Sequence, residues 1–147
     1  MNHKILTVVA DFYPEIAENL LRGSKDCLKN TSYSVRIEKV PGVFEIPAAI
    51  AKASTDSIYA GYIALGCVIR GETSHFEYVC LESSRAIMEL SLKGLPIGFG
   101  ILTVENYAQA IERAGGDKGN KGFEASKACI SMIELFKRLS KHSLDQK

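Results

Sequence analysis

The stretch Gly61-Tyr62-Ile63-Ala64-Leu65-Gly66-Cys67-Val68-Ile69-Arg70-Gly71-Glu72-Thr73-Ser74-His75-Phe76-Glu77 changes character in the middle. Gly61 to Ile69 is apolar without polar alternation, the pattern of a strand buried on both faces. Arg70 to Ser74 is polar, and a stripe at helical spacing follows through Phe76, Val79, Cys80, Ser83, Ile87 and Leu90. A doubly buried strand that hands over to an amphipathic helix is the repeating unit of a parallel α/β sheet.

The same unit recurs on either side. Lys4 to Ala10 reads as a strand, Pro14 suits a first helical turn, and Ile16, Leu20, Leu21, Ser24, Cys27 and Leu28 keep helical spacing up to the turn-prone Asn30-Thr31-Ser32. Ser34 to Val40 alternates like a strand, Pro41-Gly42 breaks it, and Ala-rich Ile46 to Ser54 is helical with Pro47 in its first turn. Downstream, Pro96 to Leu102 is the fourth strand, followed by helices over Glu105 to Arg113 and Lys121 to Leu139. The last helix carries Ala125, Ala128, Cys129, Met132, Ile133, Phe136 and Leu139 on one side, and a polar tail runs from Ser140 to Lys147. Right-handed crossovers then predict a three-layer α/β sandwich of flavodoxin-like type, a four-stranded parallel sheet with helices on both faces.

Composition narrows the function. The 147 residues suit a single domain over 1–147. Eighteen Lys and Arg face 17 Asp and Glu for a net charge of +1, and no basic block offers itself to nucleic-acid phosphates. The longest apolar stretch, Tyr62 to Ile69, is too short to cross a bilayer, and Met1-Asn2-His3-Lys4 leads into a strand rather than a signal peptide. A soluble, cytoplasmic protein that binds neither nucleic acid nor membrane is expected. Cys27, Cys67, Cys80 and Cys129 form no C-x-x-C pair and lie apart from the histidines, so buried free thiols are expected, with no metal site.

In parallel sheets, ligands bind beyond the carboxyl ends of the strands. There, Ser74 and Glu77 have the S-x-x-E form of a capping box, which puts His75 in the first turn of a helix whose backbone N–H groups attract anions. An imidazole beside a bound phosphate is a proton shuttle; the spacing alone equally allows a surface histidine near a cap. Phe12 and Phe44 occupy two further loop ends, suited to stacking on a planar ring, with Glu45 suited to accept from hydroxyls, although Phe as core and Glu as a solvated helix start fit the same pattern. Gly115 to Gly122 lacks Walker spacing and Gly98-Phe99-Gly100 stops short of G-x-G-x-x-G; the former reads as a helix-ending connector with Arg113, Lys118 and Lys121 as spare cations.

Four segments taken together carry a resemblance: Pro41 to Pro47, Leu65 to Val79, Phe99 to Asn106, and Gln109 to Gly115 with Gly119 to Gly122. In order and spacing, from about Ile5 to about Leu135, the chain resembles the 6,7-dimethyl-8-ribityllumazine synthase family. The resemblance implies condensation of 5-amino-6-(D-ribitylamino)uracil with 3,4-dihydroxy-2-butanone 4-phosphate, releasing phosphate and water, with no metal or organic cofactor.

Carried onto this sequence, it implies that Phe12 stacks on the pyrimidinedione and that Val43, Phe44 and Glu45 line the ribityl pocket. Cys67, Val68 and Ile69 hold the ring's polar edge through backbone groups. Glu72 and Thr73 flank the site for the butanone phosphate, Arg113 of a neighbouring subunit binds that dianion, Phe99 reaches across the interface, and Lys121 assists near the ring. His75 becomes the proton-transfer residue. The family usually has Asn where this chain has Tyr13, and a Lys of some relatives falls at Asp117. Sites shared between subunits imply homopentamers, twelve of which build a 60-subunit shell in some members; the short Gly115 to Gly122 connector favours the shell, and association with riboflavin synthase accompanies it. A flavin- or lumazine-binding storage shell with little turnover is the competing reading, and a flavodoxin-like domain without chemistry a third.

Overall fold

A computed structural model describes residues 3–141, together with the backbone alone of His142; Met1-Asn2 and most of the polar tail lie outside the described residues. The chain runs β1 (Lys4–Ala10), α1 (Pro14–Leu28), β2 (Ser34–Val40), a 3-10 turn (Val43–Glu45), α2 (Ile46–Ser54), β3 (Gly61–Ile69), α3 (His75–Leu92), β4 (Ile97–Val104), α4 (Tyr107–Arg113), a hairpin of β5 (Ala114–Gly116) and β6 (Gly119–Asn120), and α5 (Lys121–His142). The four long strands form one all-parallel sheet, as expected, and their order is β2-β1-β3-β4.

Alternation along the strands fills two cores. Ile5 and Val9 of β1, Ile63, Leu65 and Cys67 of β3, and Leu102 and Val104 of β4 meet Ile16 and Leu20 of α1, Ala110 of α4, and Ala125, Cys129 and Ile133 of α5. On the other face, Leu6, Val8, Tyr62, Ala64 and Ile101 meet Ile46 and Ile50 of α2 and Ile87 of α3. The result is the flavodoxin-like three-layer sandwich. Every residue of β3 from Gly61 to Cys67 is buried, as its unbroken apolar run requires, whereas edge strand β2 is mostly exposed. Thr7, in the middle of β1, is fully buried and its hydroxyl has no hydrogen-bond partner among the described residues.

Several boundaries differ from the sequence reading. β4 runs two residues past Leu102, because the register with β3 continues to Ile69 opposite Val104. α4 begins at Tyr107 rather than Glu105, because the Asn106 side chain accepts from Gln109 N–H at 2.9 Å and caps the helix. The Gly115 to Gly122 connector contains the β5–β6 hairpin, whose strands are too short to show alternation. Asn120 ends the hairpin: its Oδ1 accepts from the N–H groups of Gly122 and Phe123, and its Nδ2 donates to Asn19 O of α1 at 3.0 Å. α5 extends to His142; Ala128 and Leu139, expected on its apolar side, are exposed. α5 lies so close on β4 that a Cβ at Gly98 would stand 1.9 Å from Ala125 O.

Candidate active site

The carboxyl ends of β1, β2 and β3 surround a cavity of about 530 Å³, walled by the three loops that leave them. Each loop reaches it for a local reason. Proline at the start of α1 leaves Asp11-Phe12-Tyr13 as a short arch, with Phe12 70% exposed on its crest. The 3-10 turn packs Val43 inward at 4% exposure and turns Phe44 outward at 58%. That seating needs Gly66: a Cβ there would lie 2.6 Å from Val43 Cγ2. The third loop passes Gly71 and Thr73 and starts α3 at His75.

The S-x-x-E cap is not formed. Ser74 stands at the N-cap position with helical backbone angles, and its side chain makes no capping bond. Thr73 Oγ1 instead accepts from His75 N–H at 3.3 Å. Glu77 is drawn away by Arg70, which pairs with it and, through Nε, with Glu105 at 2.7 Å. A charge-assisted pair is the stronger alternative to a neutral N–H for one carboxylate. Arg70 also covers the Phe76 ring, its Cζ 4.4 Å from the centroid. The hydrogen bond from Arg70, with its charge, holds the Glu77 carboxyl below the ordinary carboxylate value.

Among the expected site residues, Phe12, Val43, Phe44, Glu45, Cys67, Val68, Ile69, Thr73 and His75 all line this one cavity. Glu72, though in the same loop, is exposed and outside the lining. Phe99, Arg113 and Lys121 are not brought to it by their own chain. Phe99 projects half-exposed from β4, the free edge of the sheet. Two of the three cations read as spare are engaged: Arg113 donates to Gln109 O at 3.1 Å and pairs with Glu112 at 3.4 Å, and Lys121 pairs with Glu124 at 2.6 Å. Tyr13, Phe76 and Val79 also line the cavity, although the sequence reading places Phe76 and Val79 only on the apolar stripe of the helix and marks Tyr13 only as a departure from the family.

The chemistry of the lining is selective. Apolar and aromatic walls suit a flat heterocycle, and Glu45 and His75 are lining side chains whose chemistry allows accepting hydrogen bonds and carrying a proton. Cys67 does not compete as a nucleophile, because burial and the nearby Cys80 push its thiol up to about 12. Burial, followed by the proximity of Cys67, raises the Tyr13 phenol above its ordinary value. A larger hollow of about 630 Å³ between α1, the hairpin and the start of α5 contains none of the expected site residues. Among the described residues, no three His, Cys, Asp or Glu side chains gather as a metal ion would require, and no helix is long and apolar enough to cross a membrane.

The comparisons with known proteins agree with one another. The model of the 6,7-dimethyl-8-ribityllumazine synthase family matches residues 2–137. A 6,7-dimethyl-8-ribityllumazine synthase of Zymomonas mobilis is 49% identical over 137 residues, covering 93% of this chain and 99% of its own length. One from Bartonella tribocorum is 53% identical over 136 residues, covering 91% and 90%. One from Afipia carboxidovorans is 46% identical over 144 residues, covering 94% and 88%. The relatives are matched along nearly their whole length, through every loop that walls the cavity, and the chain belongs to the 6,7-dimethyl-8-ribityllumazine synthase family.

Proposed function

We propose that this chain is a transferase that condenses 5-amino-6-(D-ribitylamino)uracil with 3,4-dihydroxy-2-butanone 4-phosphate to 6,7-dimethyl-8-ribityllumazine, phosphate and water, the penultimate step of riboflavin biosynthesis. The observation that carries the reading is membership of the family over almost the whole chain, joined to one cavity that gathers Phe12, Val43, Phe44, Glu45, Cys67, Val68, Ile69, Thr73 and His75. Phe12 stacks on the pyrimidinedione, Val43, Phe44 and Glu45 receive the ribityl chain, and Cys67, Val68 and Ile69 meet the polar edge of the ring with backbone groups.

His75, at the first turn of α3, moves the protons of imine formation and phosphate elimination. Glu72 and Thr73 flank the phosphate at that helix start, where backbone N–H groups and the macrodipole favour an anion. Holding the two reactants together supplies much of the remaining acceleration, since the amine is already a nucleophile. No metal or organic cofactor takes part.

The site is completed by a second copy. Arg113 supplies a bidentate cation to the phosphate of the adjacent subunit, Phe99 closes that subunit's ring pocket, and Lys121 assists beside it. Their absence from the cavity of their own chain supports this sharing. So does α3, whose outward face exposes Tyr78, Leu81, Met88 and Leu92 at 59–81%, an apolar stripe suited to burial against further copies. The assembly is a pentamer of single-domain chains, gathered into a 60-subunit shell that associates with riboflavin synthase, in the cytoplasm.

Anaerobic incubation of the purified protein with both substrates, followed by lumazine fluorescence, tests the reading. Product formation well above the uncatalysed reaction is expected. A rate equal to background in an assembled oligomer overturns it and favours the storage shell. Sedimentation separates pentamer from shell.

A further inference from the structure

Three rings stand in a row between the loops that leave β1 and β4, and two of them, Phe12 and Tyr13, line the cavity. Phe12 and Tyr13 meet edge to face, centroids 5.1 Å apart at 70°, and Tyr13 meets Tyr107 in the same way at 6.5 Å and 65°. The row ends in a hydrogen bond, the Tyr107 hydroxyl donating to Glu15 Oε2 at 2.8 Å. Tyr107 is the first residue of α4 and Glu15 lies in the first turn of α1, so the row spans the loops that leave β4 and β1.

This arrangement answers two needs of the site. Phe12 is largely exposed, and an exposed ring that stacks on a ligand must give up rotamer freedom on binding unless something fixes it beforehand. Tyr13 is the ring that touches it, and Tyr107 fixes Tyr13 in turn. The second need is polar. Tyr13 lines the cavity beside Cys67, and its hydroxyl has no hydrogen-bond partner among the described residues. A phenol O–H left over at the wall of a ring pocket is a donor awaiting a ligand acceptor. Burial and Cys67 keep that phenol protonated at neutral pH.

We propose that Tyr13 is a specificity determinant for the heterocyclic substrate: it holds Phe12 in its stacking position and donates its phenol O–H to the polar edge of the ring, while Tyr107 and Glu15 act as positioning residues through it. The proposal rests on the synthase reading and goes beyond it by assigning ring recognition to the brace formed by Tyr13, Tyr107 and Glu15. The phosphate-directed groups, Thr73 and Arg113, are outside the row, so the effect is confined to one substrate.

Steady-state kinetics with each substrate varied in turn test this on Tyr107→Ala, Tyr107→Phe, Glu15→Gln and Tyr13→Phe. Tyr107→Ala is expected to raise KM for the ribitylaminouracil about tenfold, the scale of one lost aromatic edge contact with its ordering, and to leave KM for the butanone phosphate within about twofold. Tyr107→Phe, which keeps the ring and loses the hydroxyl, falls between this and the unaltered protein. Glu15→Gln keeps an acceptor and restores near-normal KM, and Tyr13→Phe keeps the wedge but loses the donor, raising the same KM a few-fold. The dissociation constant of the lumazine product, read by fluorescence, follows the same order. Equal rises in both KM values, losses that only follow the melting temperature, or no change in Tyr107→Ala overturn the proposal while the synthase reading stands. An unaltered protein that makes no lumazine overturns both.

Discussion

Arg70 Nε lies 2.7 Å from Glu105 Oε2 while the same guanidinium pairs with Glu77, so one side chain joins the turn that presents His75 to the end of β4. Beyond Glu105 comes α4, which carries Arg113 at its last position. The residue proposed to move protons and the one proposed to reach the neighbouring site are thus connected through a common anchor.

Arg70→Gln is expected to lower kcat several-fold with little change in melting temperature, since the pairs are exposed and screened. It also carries a pH signature. Arg70 holds the Glu77 carboxyl below its ordinary 4.5, so that contribution to stability is complete above 4.5 and is lost as pH falls through the lower folded value. Removing Arg70 removes this margin, and the acid-unfolding midpoint moves slightly toward higher pH. A midpoint that stays in place contradicts the clamp.

The buried thiols offer a second check. Burial first, then Cys80, pushes Cys67 up to about 12, and burial does the same to Cys129. Both are expected to resist alkylation at pH 8 in the folded protein and to react once it is denatured, as followed by mass spectrometry. Rapid labelling of Cys67 in the native state would place it in an open, reactive setting and contradict its role as a wall.

Gly98→Ala tests the packing behind the site. Its methyl group would meet Ala125 O of α5 at 1.9 Å, so helix and strand must separate. A loss of about 1–3 kcal/mol or more in denaturant unfolding is expected, the usual cost of overpacking. An unchanged midpoint shows that α5 is free to shift.

Site sharing predicts complementation. His75→Ala and Arg113→Ala are each expected to be impaired, the first mainly in kcat and the second mainly in KM for the butanone phosphate. Co-assembled in equal amounts, they place an intact His75 opposite an intact Arg113 at about a quarter of the head-to-tail interfaces of a ring. Activity is therefore regained on mixing. Mixed assemblies no more active than the average of their parents contradict a site built from two subunits.

The contrast between legible and illegible parts follows from where the information sits. β3 and the start of α3 at His75 were readable, because a strand buried on both faces has no polar residues and the change to helical spacing is abrupt. Phe12, Phe44 and Glu45 are readable by position, since Pro14 starts a helix just after Phe12 and Pro41-Gly42 ends a strand just before Phe44 and Glu45. The cap of α3 escapes the sequence reading because Arg70, itself held by Glu105, 35 residues away, takes Glu77 from outside the local pattern. The β5–β6 hairpin left no period to detect, and the true cap, Asn120, was hidden in a glycine-rich connector. Tyr13 was visible only as a departure from the family; its partners Tyr107 and Glu15 emerge only when β1 and β4 stand in one sheet.

The most direct test of the account is the steady-state rate of lumazine formation by the assembled protein and by its His75→Ala variant, with both substrates varied. The account predicts that the unaltered protein far outpaces the spontaneous reaction and that His75→Ala lowers kcat by about 10- to 100-fold, toward the low end for a proton-transfer group because the amine is already nucleophilic, with both KM values nearly kept. A variant that turns over like the unaltered protein would remove His75 from the chemistry, and an unaltered protein no faster than background would contradict the synthase itself.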